Sequence, residues 1–241
     1  MVIDMRSRKD IPVRERLILA LDVPDRDTAL ETVELLGASV SFYKLGLELF
    51  MSGSYFELVE QPLRRGKRVF CDLKFFDVPE TVARAVRQLK DRGVDFTTVH
   101  GNDSMLRAAV GEKNGLKILA VTVLTSLDQG DLEDLGFQCG VETLVRSRAQ
   151  RALEIGCDGV ISSGLEISSL RQELGDQLMI VVPGIRPVQN RPVDDQKRVV
   201  TPSQAFQNGA DFIVVGRPIR DAEDPRATAE AIQAEIAAVF A

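Results

Sequence analysis

The segment FCDLKFFD, residues 70–77, combines an apolar, strand-like run with two carboxylates and a lysine. Asp72 and Lys74 are two residues apart, so on a β-strand they project to the same side, whereas Cys71 projects to the other. Buried charges are costly unless they are paired. The segment, with Asp77 at its end, therefore predicts a charged site rather than a plain core strand.

A salt-bridged surface turn is the alternative for this segment, and such a pair contributes only about 0 to 1 kcal/mol. Leu73, Phe75 and Phe76 make the stretch too apolar for a solvated turn. Lys44, near the end of the preceding predicted strand, would enter the same space. An alternating array of acids and bases can hold an ammonium group where negative charge develops in a reaction. We therefore interpret the segment as functional.

Other conspicuous residues have simpler interpretations. Asp77 stands shortly before a predicted helix, where its alternative role is a helix cap. His100 is the single histidine, with no cluster of acidic or cysteine ligands nearby in sequence, which favours a packing role over metal or triad chemistry. Cys71, Cys139 and Cys157 are odd in number and lack metal-ligand spacing, which predicts free thiols, with Cys71 packed against helices.

Apolar β-rich runs alternate with helical patterns along the chain. Eight strand-plus-helix units of about thirty residues each predict a (β/α)₈ TIM barrel, an α/β fold. A doubly wound sheet is the alternative, but it normally has a G-x-G-x-x-G turn after the first strand, where LDVPDRD stands here. We expect one domain, residues 1–241, with 1–15 as a polar leader. The predicted strands are 16–23, 40–45, 68–74, 95–100, 117–124, one beginning at 159, 177–184 and 210–217.

Helix boundaries are marked by capping and terminating residues. A helix over 27–37 ends at a glycine, and another has Pro79 in its first turn and Gly93 after its end. The last helix begins at Asp224 and Pro225, a cap followed by a first-turn proline. Its apolar face, with Ile232 and Ile236, is expected to dock on the core.

Nearly every predicted strand becomes polar at its C-terminal end, the end where TIM barrels build their active sites. We therefore predict the functional site there. The polar residues at these ends are Asp22, Lys44, Asp72, Lys74, His100, Thr125, Ser126, Ser162, Ser163, Arg186 and Arg217.

The last two strands carry a second signal. VVPGIRP is followed by VQNRPVDDQKRVVTP, a long stretch without periodicity, and such loops are commonly functional. Loops at this position in barrels often bind phosphate through backbone N–H groups. Gly216 would permit close approach, and Arg217 would supply a forked donor. We expect the long loop to close over a ligand; the alternative for Gly216 and Arg217 is an ordinary strand-to-helix turn.

Composition narrows the functional classes. The net charge of −6 argues against a general attraction to nucleic acid or anionic membranes. The first fifteen residues lack the apolar stretch of a signal peptide, and no apolar run approaches the length of a membrane span. Together with the unpaired cysteines, these features predict a cytoplasmic protein.

The motifs taken together resemble orotidine 5′-monophosphate decarboxylases of the bacterial type. The resemblance is carried, in chain order, by LALDVPD, FYKLG, FCDLKFFDVPETV, TVHG, VTVLTS, VVPGIRP, DDQKR and IVVGRPI. It implies decarboxylation of orotidine 5′-monophosphate to uridine 5′-monophosphate, the last step of de novo pyrimidine synthesis, in a homodimer with shared sites. No cofactor or metal is implied.

The same resemblance implies roles for individual residues. The charged array would consist of Lys44, Asp72, Lys74 as proton donor, and Asp77 of the partner subunit. The remaining substrate contacts divide into a ribose and base group and a phosphate group. Asp22, Lys44 and Thr81 of the partner subunit would meet the ribose, and Thr125 the pyrimidine; the phosphate group would be Arg186, Gln196, Gly216 and Arg217. Asp72 is also expected among the substrate-binding residues.

Two alternatives remain at the level of sequence. Hexulose-phosphate synthases and keto-gulonate-phosphate decarboxylases resemble this chain in their D-x-K-x-x-D strand but use Mg²⁺, with an acidic ligand at the end of the second strand. Lys44 stands at that position here, and a cation is a poor neighbour for a metal. A noncatalytic phosphate-binding barrel would be expected to have lost Asp72 or Lys74, and both are present.

Overall fold

The structure, a computed structural model, describes residues 5–187 and 199–241. Eight parallel strands form a closed barrel in chain order, and the eighth pairs with the first. The predicted (β/α)₈ barrel is confirmed. The strands are β1 (Leu17–Ala20), β2 (Phe42–Leu45), β3 (Arg68–Phe75), β4 (Phe96–His100), β5 (Lys117–Val121), β6 (Gly159–Ile161), β7 (Met179–Val182) and β8 (Phe212–Val215).

The described residues contain eleven α-helices, three more than the eight units predicted. The additional helices are short and directly follow β2, β5 and β8, so they lie at the end where the polar residues gather. The helices are α1 (Arg26–Leu36), α2 (Leu47–Met51), α3 (Tyr55–Arg64), α4 (Pro79–Leu89), α5 (Asp103–Glu112), α6 (Gln129–Asp134), α7 (Val141–Ile155), α8 (Ile167–Leu174), α9 (Pro202–Gln207), α10 (Arg217–Arg220) and α11 (Pro225–Phe240).

The capping signals in the sequence set the helix boundaries. The Asp224 side chain accepts a hydrogen bond from the Ala227 backbone N–H at 2.9 Å, so α11 begins where predicted. Ile232 and Ile236 of α11 are buried, which confirms the face expected to dock. Most strands are shorter than predicted, although β3 extends one residue further, to Phe75. Strand β1 ends at Ala20 and β5 at Val121, so Asp22 and Thr125 lie after these strands and before the next helices. These residues therefore occupy the loops above the barrel.

An aromatic layer fills the lower part of the barrel. Phe42, Phe70, Phe96 and Phe212 are buried, and the ring centroids of the contacting pairs lie 5.0 to 5.9 Å apart. The guanidinium of Arg68 lies 4.3 Å from the centroid of the Phe42 ring. Because strand side chains alternate, the residues two positions further along the strands also point inward, above this layer.

The other face of the strands packs against the helices. Cys71 belongs to this outer apolar cluster and is fully buried, as predicted. Burial raises the pKa of the Cys71 thiol to about 12, so the group remains a neutral thiol near pH 7. Cys71 is therefore a packing residue.

The part of the leader that the structure describes packs against the N-terminal end of the barrel. Ser7 donates a hydrogen bond to Asp211, which is fully buried just before β8. Lys9 Nζ lies 3.3 Å from Asp211 Oδ2, and buried Arg171 forms an ion pair with the same carboxylate. The backbone N–H of Ile180 also donates to Asp211, at 2.8 Å. Asp211 thereby joins the leader, α8, β7 and β8.

Asp211→Asn is expected to destabilise the protein by about 3 kcal/mol or more, because the buried Arg171 guanidinium loses its buried anion and keeps only the longer pair with the more exposed Asp176, at 3.5 Å. Urea unfolding at pH 7 measures this change. The matched control is Glu230→Gln, which removes the exposed ion pair with Arg14 and should cost about 1 kcal/mol or less. Equal losses in the two variants would contradict the importance assigned to Asp211.

Candidate active site

A cavity of about 720 Å³ opens at the C-terminal end of the barrel. Its walls come from residues at the ends of strands far apart in sequence, which is the arrangement expected of this fold. Nine of the residues predicted from sequence line it: Asp22, Lys44, Asp72, Lys74, Thr125, Ser126, Arg186, Gly216 and Arg217.

Four of these side chains form a continuous array of alternating charge. Lys44 Nζ lies 3.0 Å from Asp22 Oδ1 and 3.4 Å from Asp72 Oδ2. Lys74 Nζ lies 2.8 Å from the same Asp72 oxygen. Asp72 is therefore bracketed by two ammonium groups. The structure brings together Lys44, Asp72 and Lys74, which sequence reasoning had grouped, and adds Asp22 to them.

The alternation of side chains along β2 and β3 puts this array above the aromatic layer. Lys44 follows Phe42 by two residues, and Asp72 follows Phe70 by two, so each charged group lies on the interior side of its strand. Gly46 leaves room beside them. A Cβ at residue 46 would lie only 3.1 Å from Asp22 Oδ1 and 3.2 Å from Lys44 Nζ. The glycine of the FYKLG motif thus accommodates the ion pair.

The surroundings keep Asp72 and Lys44 ionised despite their burial. Both residues are less than a tenth exposed. Burial by itself favours the neutral form of Asp72, but Lys44 and Lys74 outweigh it and hold the pKa of this carboxyl below its ordinary value. For Lys44, burial again opposes the charge, and Asp72 and Asp22 raise its pKa above the ordinary value. The array is therefore charged at neutral pH.

Lys74 is the more open of the two lysines in the array. About one third of its side chain is exposed (33%), compared with 10% for Lys44. Its backbone has φ of 46°, a left-handed conformation that residues with a Cβ seldom adopt. Such strain persists where surrounding contacts enforce it, commonly at functional sites. Lys74 can therefore present a cation to a bound molecule while one acid holds it from below.

Three predicted residues do not line the cavity within this chain or cannot be placed. Asp77 and Thr81 are exposed and lie outside its lining. The N-cap of α4 is Val78, and no side chain caps the helix, so the alternative role of Asp77 as helix cap is wrong. Gln196, and most of the long segment expected to close over a ligand, lie outside the described residues.

The ends of β7 and β8 carry the cluster predicted to bind phosphate. Arg186 is buried, its backbone N–H donates to the carbonyl of Val200 at 3.0 Å, and Ile185 forms an isolated parallel bridge with Val200. The chain thus returns beside β7 after the long connection. Gly216 and Arg217, at the end of β8, complete this cluster. Arg186 and Arg217 therefore line the same cavity as the Asp72 array.

Other predicted strand-end residues face elsewhere. The hydroxyl of Ser163 donates to buried Glu166, and Ser162 lies beside the same carboxylate; neither serine lines the cavity. The His100 ring packs edge-on against Phe76, with centroids 5.1 Å apart. This contact agrees with the packing role expected for His100.

Sequence reasoning missed three residues at the site. Thr98 contacts both Asp72 and Lys74, and Glu48 and Arg220 line the cavity. Arg220 also donates to the backbone carbonyl of Asp22. The position of Thr98 in strand β4, two residues before His100, was the available signal. Threonine is so common in strands that this signal alone does not identify a site.

A protein-family profile described as "Orotidine 5′-phosphate decarboxylase / HUMPS family" matches residues 15–232. The chain belongs to this family. A family protein named orotidine 5′-phosphate decarboxylase, from Methylococcus capsulatus, is 67% identical over 235 residues, covering 98% of this chain and 97% of its own. A protein of the same name from Stenotrophomonas maltophilia is 51% identical and covers 98% and 99%.

A solved structure extends the family resemblance to three dimensions. The crystal structure of orotidine 5′-phosphate decarboxylase from Lactobacillus acidophilus has a TM-score of 0.81 and 35% identity, covering 92% of this chain and 99% of its own. Within residues 5–187 and 199–241, no helix has both the length and the apolar character needed to cross a membrane.

The difference in unfolding free energy between wild type and Asp72→Asn should depend on pH in one direction. A carboxyl whose pKa is lower in the folded state stabilises fully above its unfolded-state pKa of about 3.9, and this contribution disappears as pH falls through the folded-state value. We expect a constant difference from about pH 5 to 8 and a decrease below about pH 4. Urea unfolding across this range measures it, and a difference that grows on acidification would contradict the assigned shift.

Proposed function

We propose that this protein decarboxylates orotidine 5′-monophosphate to uridine 5′-monophosphate and CO₂, the last step of de novo pyrimidine synthesis. Membership of the family and relatives named for this activity support the reaction. The observation that carries the mechanism is the array Asp22, Lys44, Asp72 and Lys74, which ends in a partly exposed ammonium above an otherwise buried carboxylate.

The proposed chemistry centres on Lys74. When the bond between C6 and the carboxylate breaks, CO₂ leaves and the bonding electron pair remains on C6, in the ring plane, where the π-system cannot delocalise it. A fixed cation beside C6 stabilises this charge as it develops. A proton from Lys74 Nζ then forms the C6–H bond, and the resulting neutral amine regains a proton from solvent. No redox step is involved.

Asp72 supports this role by holding the ammonium charged and in place. Its Oδ2 contacts both Lys74 and Lys44, and it has almost no exposure to water that would weaken the attraction. Asp77 of the partner subunit is proposed as the second acid beside Lys74. An ammonium placed before the reaction needs no reorganisation when negative charge appears.

The remaining contacts are proposed to position the nucleotide. Asp22 and Lys44 meet the ribose hydroxyls with Thr81 of the partner subunit, and Thr125 meets the pyrimidine. The phosphate group contacts Arg186, Gln196, Gly216 and Arg217. Arginine forks suit phosphate oxygens, and binding energy gained at the phosphate can be used at the reacting carbon. The long connection after β7 is proposed to close over this end.

The same array argues against Mg²⁺ chemistry of the hexulose-phosphate synthase kind. Lys44 Nζ occupies the space between the carboxylates of Asp22 and Asp72, at 3.0 and 3.4 Å. A divalent cation in this space would be repelled by the buried ammonium, and Lys44 would have to move away. The residues present therefore fit a cofactor-free decarboxylation better than a Mg²⁺-dependent reaction.

A homodimer with shared sites is part of the proposal. Asp77 and Thr81 are exposed and outside the cavity of their own chain, so each is available to a second copy. Phe76 and Val78, on either side of Asp77, are each 63% exposed. Large apolar side chains flanking a functional carboxylate favour burial against a partner.

The cytoplasm is the proposed location. Cys71, Cys139 and Cys157 are free thiols in the structure, and two of them are buried. Free thiols persist in reducing compartments. Nucleic acids and membranes are not proposed as partners, given the net charge of −6.

Lys74→Ala should lower kcat by at least about 10⁴-fold, because both charge stabilisation and proton donation are lost. The absorbance change on conversion of orotidine 5′-monophosphate, followed in excess EDTA, measures the rate. Lys90→Ala is the matched control, since Lys90 pairs with Glu112 away from the cavity and should leave the rate unchanged. Retained turnover in Lys74→Ala, or a wild-type rate that requires added Mg²⁺, would overturn the proposal.

Mixing inactive Lys74→Ala and Asp77→Ala chains should restore activity. Each mixed dimer has one site in which both Lys74 and Asp77 are intact. Random pairing makes about half of the dimers mixed, so the mixture should recover about one quarter of the wild-type activity per subunit. The mixture is assayed after mild denaturation and refolding of the two proteins together. Each variant refolded alone is the control, and a mixture no more active than its components would argue against shared sites.

A further inference from the structure

Strand β3 contains an irregularity directly at the charged array. Cys71 pairs with Thr97 of β4, but the next pair is Phe75 with Val99. Residues 72–74 on β3 therefore lie opposite the single residue Thr98. A regular ladder would have one residue on each side, so β3 accommodates two extra residues here. Bulges of this kind redirect side chains and are frequent beside active sites.

The bulge gives Lys74 its unusual backbone. Among the described residues other than glycine, only Lys74 and Asn114 have positive φ. The left-handed conformation is sterically unfavourable for a residue with a Cβ. The bulge also removes the backbone N–H of Lys74 from the regular ladder. That N–H instead donates to Thr98 Oγ1, on the neighbouring strand β4, at 2.9 Å, so its hydrogen bond is satisfied.

The Thr98 hydroxyl has a second contact, with Asp72. Its oxygen lies 2.8 Å from Asp72 Oδ1, while Asp72 Oδ2 receives both lysines. A backbone N–H can only donate, so the hydroxyl accepts from Lys74 and uses its single proton for the carboxylate. Thr98 is fully buried, and water cannot replace either bond.

We propose that Thr98 is a positioning residue for the reaction: its hydroxyl holds the β3 bulge so that the Lys74 ammonium and the Asp72 carboxylate keep their mutual geometry. This inference rests on the proposed function, because it assigns Thr98 a role in that chemistry through Lys74. Thr98 does not itself line the cavity, and its two side-chain hydrogen bonds join it to Lys74 and Asp72 rather than to the residues of the phosphate group. Its removal should therefore affect the chemical step more than substrate capture.

Thr98→Val tests this inference, because valine keeps the shape but neither donates nor accepts. We expect kcat to fall about 100-fold, since a displacement of about 1 Å at a reacting group has this effect. KM should stay within about threefold, because the phosphate contacts are intact. Thr98→Ser, which keeps the hydroxyl, should recover kcat to within about fivefold of wild type.

Thr122→Val is the matched control. Thr122 is equally buried, and its hydroxyl donates to the carbonyl of Ile161 at 2.8 Å, away from the array and outside the cavity lining. Its kcat should stay within about twofold of wild type even if it loses as much stability as Thr98→Val. Urea unfolding of all variants compares their stability.

Several outcomes would overturn the inference: wild-type kcat in Thr98→Val, an equal fall in Thr122→Val, no recovery in Thr98→Ser, or a rise in KM without a fall in kcat. If Thr98→Val does not fold, Thr98→Cys replaces it, because the cysteine thiol is of similar size and only a weak donor. The kcat of Thr98→Cys should lie between those of Thr98→Ser and Lys74→Ala. A wild-type kcat in Thr98→Cys would overturn the inference. Inactive wild type would instead refute the proposed function.

Discussion

A carboxylate that must stay charged while almost completely buried is the constraint on which the site depends. Asp72 is 7% exposed, and its charge is maintained by two ammonium groups and one hydroxyl. Removing any of these partners would leave the buried carboxylate incompletely paired, which destabilises the folded state. The sequence around Asp72 therefore has few alternatives: lysines on β2 and β3, a donor on β4 and space at Gly46.

The barrel has charged groups at both ends, and the two sets differ in burial and therefore in what they can do. At the N-terminal end, Asp211 is fully buried and engaged by Ser7, Lys9, Arg171 and a backbone N–H. At the C-terminal end, Lys74 keeps a third of its side chain exposed to a cavity. A saturated network stabilises the fold, whereas a cation open to a cavity can act on a ligand. The aromatic layer lies between the two ends.

The proposed division of the site between two chains follows from the same geometry. The Lys74 ammonium contacts one acid in its own chain, and the next acid in the motif, Asp77, is exposed and lies outside the lining of that cavity. In the proposed homodimer, Asp77 of the partner subunit supplies the second acid beside Lys74.

The sequence by itself determined the barrel and most of its site. Strand alternation and helical periodicity are local properties, and they were sufficient to predict eight strands in order. Polar residues at the strand ends were equally visible, because parallel strands bring their C-terminal ends to one edge. Motif resemblance then assigned roles to Lys44, Asp72 and Lys74 that neighbouring residues alone do not specify.

Tertiary structure decided the features that depend on contacts between distant segments. The left-handed backbone of Lys74 follows from the pairing of β3 with β4, and Thr98 acquires its two hydrogen bonds only there. The leader gained its place through Asp211, about two hundred residues away. Three short helices after β2, β5 and β8 also escaped prediction, because segments of four to six residues carry too little periodic signal. Local patterns set the elements, and long-range packing set the geometry of the charges.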